Sequence, residues 1–179
     1  MTNKLESGTL VGRPFGGLAI LMKKSLHVKI NIIDVHHNCR ALALTVQFMS
    51  RLKIMLIVVY FPCFKVGPNY KAEISDCLGF IEKCICDIFD DLVILGDFNF
   101  NCDERSEGYL LFKAFADNYH IVFCEYISLN EIGYTYMPEH SDHRFTIDHI
   151  FISEVTNSVI ALLNTAIWIV RYTSQITRL

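Results

Sequence analysis

The sequence predicts an α+β protein, a layered α/β sandwich in which two mostly antiparallel β-sheets pack face to face with helices outside. Three observations lead to that class. Short apolar runs rich in β-branched residues recur in adjacent pairs, as hairpin strands do. Two segments instead repeat their apolar residues every three or four positions, as amphipathic helices do. Helical segments alternate with strand segments, and at 179 residues with 52% hydrophobic and 20% charged residues the chain is one domain with a sizeable core.

In chain order, Gly17 to Met22 and Val28 to Val35 are the first strand candidates. Ala41 to Phe48 and Lys53 to Phe61 follow as a hairpin split by the polar Ser50-Arg51, and Pro62, which cannot donate to a ladder, stops the second. Tyr70 to Phe89 is helical, with Ile74, Cys77, Leu78, Ile81, Ile85 and Ile88 on one stripe. Asp91 ends that helix, and Leu92 to Leu95 is a short buried strand. Glu107 to Tyr119 is a second helix. Strands return at Ile121 to Tyr126, Gly133 to Met137, Thr146 to Ser153 and Ser158 to Leu163.

Composition narrows the function classes. Mean hydropathy is positive, but the longest apolar stretch, Asn157 to Val170, is interrupted by Asn164 and is too short and too β-branched for a spanning helix. It predicts paired buried strands and no membrane association. Met1 to Leu10 carries Lys4, Glu6 and Gly8 without an apolar core, so no secretory signal is expected and the location is intracellular. The formal net charge of −3 lacks the basic surplus of a dedicated nucleic-acid binder. An enzyme that holds a metal through carboxylates can still be acidic, because the ion supplies the local positive field. Seven cysteines, odd in number and without a C-x-x-C pair, predict reduced thiols and no zinc finger.

Chemistry concentrates in a few places. Leu95-Gly96-Asp97-Phe98-Asn99 puts a carboxylate and a carboxamide two residues apart at a strand end, hence on one face of an extended segment. Such a pair can hold a water and a phosphate oxygen together, although Gly, Asp and Asn are also ordinary turn residues. In Thr146-Ile147-Asp148-His149-Ile150-Phe151, Asp148 is a carboxylate among β-branched and aromatic neighbours, costly to bury unless paired. It could equally face water. Tyr60, before Phe61-Pro62, is either a phosphate-contacting hydroxyl or a core aromatic at a strand end. Arg13, in Gly12-Arg13-Pro14-Phe15-Gly16-Gly17, could meet a phosphate, though the segment lacks the Gly-Lys-Ser/Thr ending of a P-loop. His140, Asp142 and His143 have no recognised metal spacing and are expected in a solvated loop.

Taken in order, Gly-Gly-Leu-Ala-Ile-Leu (16–21), Val-Val-Tyr-Phe-Pro (58–62), Leu-Gly-Asp-Phe-Asn (95–99), Tyr-Thr-Tyr (134–136) and Ile-Asp-His-Ile-Phe (147–151) resemble the endonuclease/exonuclease/phosphatase superfamily. The Gly-Arg-Pro-Phe-Gly-Gly opening is most similar to the endonucleases of non-LTR (LINE-type) retrotransposons. The resemblance covers residues 12–163, leaving 1–11 as a polar tail and 164–179 as a divergent one. It implies a Mg²⁺- or Mn²⁺-dependent phosphodiesterase acting on DNA. Asp97 would handle proton transfer near the attacking water and leaving group, and Asn99 would orient that water and the scissile phosphate. Tyr60, Thr135 and, more weakly, Arg13 would contact phosphate. Asp148 would orient an active-site histidine or assist metal binding.

The sequence departs from the pattern at both ends. The family's metal-binding Glu on the first strands has no counterpart here, since Asn3 and Glu6 lie in a polar tail without strand patterning. The terminal Ser-Asp-His should follow Asp148, but no Asp or His follows His149, and Ser141-Asp142-His143 precedes it. The expectation is therefore an incomplete fold, cut short at both ends, with weak or no nuclease activity and poor solubility. Two other outcomes remain open: a superfamily hydrolase acting on a phospholipid or small phosphate ester, and a non-catalytic binding or scaffold remnant.

Overall fold

In a computed structural model, the structure describes residues 18–23, 25–63, 69–85, 88–102, 105–124, 134–138, 142–153 and 167–171. Among the described residues, eight strands and two helices follow in the order β1 (Leu18–Met22), β2 (Val28–Val35), β3 (Ala41–Phe48), β4 (Lys53–Tyr60), α1 (Tyr70–Ile85), β5 (Asp91–Asp97), α2 (Glu107–Asn118), β6 (Ile121–Phe123), β7 (Asp148–Ser153) and β8 (Ile167–Arg171). Six strands form one sheet in the order β2-β3-β4-β5-β7-β6, and β1 pairs with β8 in a second. The β4–β5 pair, joined through α1, is parallel, and every other described pair is antiparallel. A layered α/β sandwich is what the sequence predicted.

The pleat sorts side chains onto two sheet faces. Met55, Ile57 and Val59 of β4, Leu92 and Ile94 of β5 and Phe151 of β7 pack with Ile74, Cys77 and Ile81 of α1 and Phe112 and Phe115 of α2. Ile54, Leu56, Val58, Val93, Leu95 and Ile152 turn the other way and meet Leu18, Ile20 and Met22 of β1. Strands buried on both faces read as continuous apolar runs rather than alternating ones, as β4 and β5 do.

Local signals set the helix ends. Ser106 caps α2, its side chain accepting from Tyr109 N at 3.3 Å, and Glu107 complements the helix dipole in the first turn. Tyr119 donates its hydroxyl to Glu82 at 2.6 Å and ties the end of α2 to α1.

Several boundaries differ from the sequence reading. Helix α1 ends at Ile85, not Phe89. Ile88 is 89% exposed, and its carbonyl accepts from Lys53 Nζ at 2.7 Å while Asp90 N donates to Lys53 O at 2.8 Å, so this segment turns the chain into β5. Asp91 is the first, buried residue of β5 rather than a helix terminator. Strand β6 stops at Phe123; residues 125 and 126 of that predicted strand lie outside the described residues. Of the strand predicted over 133–137, residue 133 lies outside the described residues, and 134–137 form a single bridge, Tyr136 to Phe145. Strand β7 starts at Asp148 rather than Thr146. The predicted strand over 158–163 also lies outside the described residues. Among the described residues no helix is long and apolar enough to cross a membrane. Cys39, Cys63, Cys77, Cys84, Cys102 and Cys124 are free thiols, and burial pushes Cys77 up to about 12, which keeps it protonated and unreactive.

Candidate active site

Three neighbouring strands of the large sheet bring Tyr60, Asp97 and Asp148 into one row. The parallel register aligns Tyr60, the last residue of β4, with Asp97, the last of β5. The antiparallel register sets Asp97 opposite Asp148, the first of β7. Cβ atoms of directly opposed antiparallel residues lie about 4.5–5.5 Å apart, so the two carboxylates are neighbours. By the parity of their strands, all three belong to the face that meets β1, not the helix face. They sit where the apolar filling between the sheets ends.

The backbone there is specialised. Gly96 has φ +142°, and a Cβ at this position would collide with the Val59 carbonyl of β4. Only glycine lets β5 approach β4 this closely while delivering Asp97 to the edge. Phe61 N donates to Asp97 O at 2.8 Å, and Phe98 N donates to Ile147 O at 2.8 Å, extending the ladders past the strand ends.

Asp97 is buried, and its Oδ1 accepts from Asn99 N at 3.0 Å. Asn99 has φ +52°, in the left-handed region that Asn tolerates better than most residues, and its Nδ2 donates to Phe61 O at 2.7 Å. Those bonds hold the amide plane and leave Oδ1 and one amide N–H for a ligand. Thr135 Oγ1 accepts from Ile147 N at 3.0 Å and Asp148 N at 3.1 Å, so this hydroxyl oxygen fixes the backbone that presents Asp148.

His149 goes elsewhere. The pleat turns it to the helix face, where it is buried among Phe98, Phe100, Phe123 and Phe151, and its Nε2 donates to Phe100 O at 2.8 Å. Cys102 Sγ lies 3.9 Å from Nδ1 and 3.7 Å from Nε2 of the same ring.

The structure thus brings Tyr60, Asp97, Asn99, Thr135 and Asp148 to one end of the sheet, and Asp142 and His143 are exposed. Arg13, with the rest of 12–17, and His140 lie outside the described residues. Arg40 is a neighbour that the sequence did not reveal. Its guanidinium lies 5.8 Å from the centre of the Tyr60 ring and its carbonyl accepts from Tyr60 N at 2.8 Å. No local motif marks it.

No protein-family model and no curated protein matches the chain. Among solved structures it is similar to an endonuclease/exonuclease/phosphatase from Bacteroides vulgatus, with a TM-score of 0.50 and 15% identity over 70% of this chain and 53% of that one. The human Nocturnin catalytic domain gives a TM-score of 0.47 at 17% identity, over 70% of this chain and 48% of that one. Truncated Caenorhabditis elegans TDP2 gives 0.49 at 13% identity, over 76% of this chain and 61% of that one. The fold is that of the endonuclease/exonuclease/phosphatase α/β sandwich. The chain spans about half the length of the solved structures it resembles.

Proposed function

We propose that this chain carries the centre of a divalent-metal-dependent phosphodiester hydrolase, of the kind found in LINE-type retrotransposon endonucleases, with DNA as its substrate. The observation that supports this reading is the row of Tyr60, Asp97 and Asp148 across β4, β5 and β7. Two neighbouring carboxylates with the Asn99 carboxamide form a hard oxygen set of the type that suits Mg²⁺ or Mn²⁺. When bound, such an ion would neutralise charge developing on the phosphoryl oxygens and lower the pKa of a bound water.

The chain's own groups do the rest. Asp97, fixed through Oδ1 by Asn99 N, takes the proton of the attacking water and returns it to the leaving oxygen. The Asn99 amide orients that water and the phosphate. Tyr60 donates its hydroxyl to a phosphoryl oxygen, with Arg40 beside its ring. Asp148 is the second carboxylate beside the ion, its backbone held through Thr135.

The 179 residues offer no counterpart to the glutamate of the resembled family, nor an Asp-His pair after His149. Lacking a primary metal carboxylate and a histidine, the 179-residue polypeptide should react several orders of magnitude more slowly than a complete site. The test is nicking of supercoiled plasmid by the purified chain in Mg²⁺ and in EDTA, beside Asp97→Ala. Slow nicking that needs Mg²⁺ and disappears in Asp97→Ala supports the reading. Nicking that survives EDTA or Asp97→Ala overturns it.

A further inference from the structure

His36 and His37 stand in the turn between β2 and β3, and Asp76 lies on α1. His36 Nε2 is 3.0 Å from Asp76 Oδ2, and His37 Nε2 is 3.5 Å from the same oxygen. Each residue places one ligand atom so that all three lie within 4.8 Å of one another. The turn is tightly built: His36 N donates to Ala41 O at 2.9 Å, and Cys39 N donates to His36 O at 2.8 Å. The His36 ring meets Phe80 of α1 edge-on, with centroids 5.4 Å apart. These residues lie at the same end of the sheet as Asp97 but on the helix side, and the proposed hydrolysis uses none of them.

We propose that His36, His37 and Asp76 form a second metal site, for a borderline dication of the Zn²⁺ class, that clips the β2–β3 turn to helix α1. A tetrahedral ion with bonds of about 2.0–2.1 Å separates its ligand atoms by roughly 3.3 Å. The two edges to Asp76 Oδ2, 3.0 and 3.5 Å, bracket that spacing. Two imidazoles and a carboxylate favour such an ion over Mg²⁺ or Ca²⁺, which take oxygen sets.

Neighbouring charges do not compete for it. Glu73, one turn before Asp76, is bound by Arg40 at 2.8 Å, and Asp34 by Lys83 at 3.1 Å. Three protein ligands leave the fourth position to water. Ligation through Nε2 moves the His36 ring proton to Nδ1, which is buried without a hydrogen-bond partner. That cost sets the affinity below that of closed four-ligand sites.

The test uses the full chain, titrated with Zn²⁺ while thermal unfolding is followed, and with Co²⁺ while visible absorption is followed. The expected result is a raised unfolding midpoint saturating near one equivalent, with tetrahedral Co²⁺ bands and no thiolate charge-transfer band. His37→Ala and Asp76→Asn should each weaken Zn²⁺ binding at least about tenfold. Their side chains are 65% and 49% exposed, so the metal-free fold should persist. Asp97→Asn with Asp148→Asn should leave the binding unchanged, which separates this ion from one at the proposed hydrolytic site. Unchanged affinity in both His37→Ala and Asp76→Asn would overturn the proposal. So would loss of binding in Cys39→Ser, or no metal-induced shift at all, which would mean that the two imidazoles merely share hydrogen bonds with Asp76.

Discussion

Asp148 and His149 are consecutive, yet they enter two different environments. His149 turns to the helix face and is surrounded by four phenylalanine rings, its Nε2 donating to Phe100 O. Asp148 turns to the other face, half-buried at the open end of the sheet opposite Asp97. The same pleat separates Phe98, packed against Phe61 and Phe112, from Asp97 and Asn99 on either side of it. At this end of the sheet the helix face therefore carries stability, while the other face, apolar further along, carries polar groups whose burial contributes little. Stability and chemistry are interleaved along the chain at single-residue spacing, so neighbouring substitutions should have opposite signatures.

Phe98→Ala should be the most damaging change. It removes a fully buried ring and should cost about 3–5 kcal/mol, read as a shift in denaturant midpoint. Gly96→Ala comes next. The left-handed φ alone costs about 1–3 kcal/mol, and the collision with Val59 O adds to it. If Gly96→Ala left stability unchanged, the close approach of β5 to β4 would be wrong. His149→Ala leaves the buried Phe100 carbonyl without its donor, at about 1–3 kcal/mol. Asp148→Asn, one residue away, should change stability by less than about 1 kcal/mol while reducing any Mg²⁺-dependent nicking. Equal stability losses for these two would erase the distinction between the faces.

Much of this was legible in the sequence because the signals were local. The continuous aliphatic runs of β3, β4 and β5 and the stripe of Ile74, Cys77 and Ile81 predict buried strands and a helix with one buried face, which the structure has. Where the reading failed, a local signal imitated something else. Ile88 keeps the helical spacing but is exposed in a connection held by Lys53. Tyr134 to Met137 looks like a strand but finds one bridging partner, Phe145.

The candidate site was legible residue by residue but not as an arrangement. Spacing puts Asp97 and Asn99 near each other. Nothing local says that β4 pairs in parallel with β5, or that β7 inserts between β5 and β6, and those pairings make the row. The side of the strand that receives His149 was likewise open until the core on each face was known. The His36–His37–Asp76 cluster was invisible for the same reason: His36 and Asp76 lie 40 residues apart and meet only in the folded chain.

The smallest effect is expected at the sheet edge. Strand β2 is an outer strand of the described sheet, and Ile30 and Ile32 are 47% and 63% exposed, although their register partners Val46 and Leu44 are buried. An apolar, exposed edge invites pairing with another copy of the chain, and a lysine there opposes it by charge. Ile32→Lys should therefore leave the unfolding midpoint within about 0.5 kcal/mol of the parent and raise the soluble fraction, followed by light scattering at increasing concentration. A larger loss of stability would carry its own lesson. It would show that Ile32 is covered in the folded protein in solution, and that the face of β2 shared with Leu44 and Val46 belongs to the core rather than to the surface.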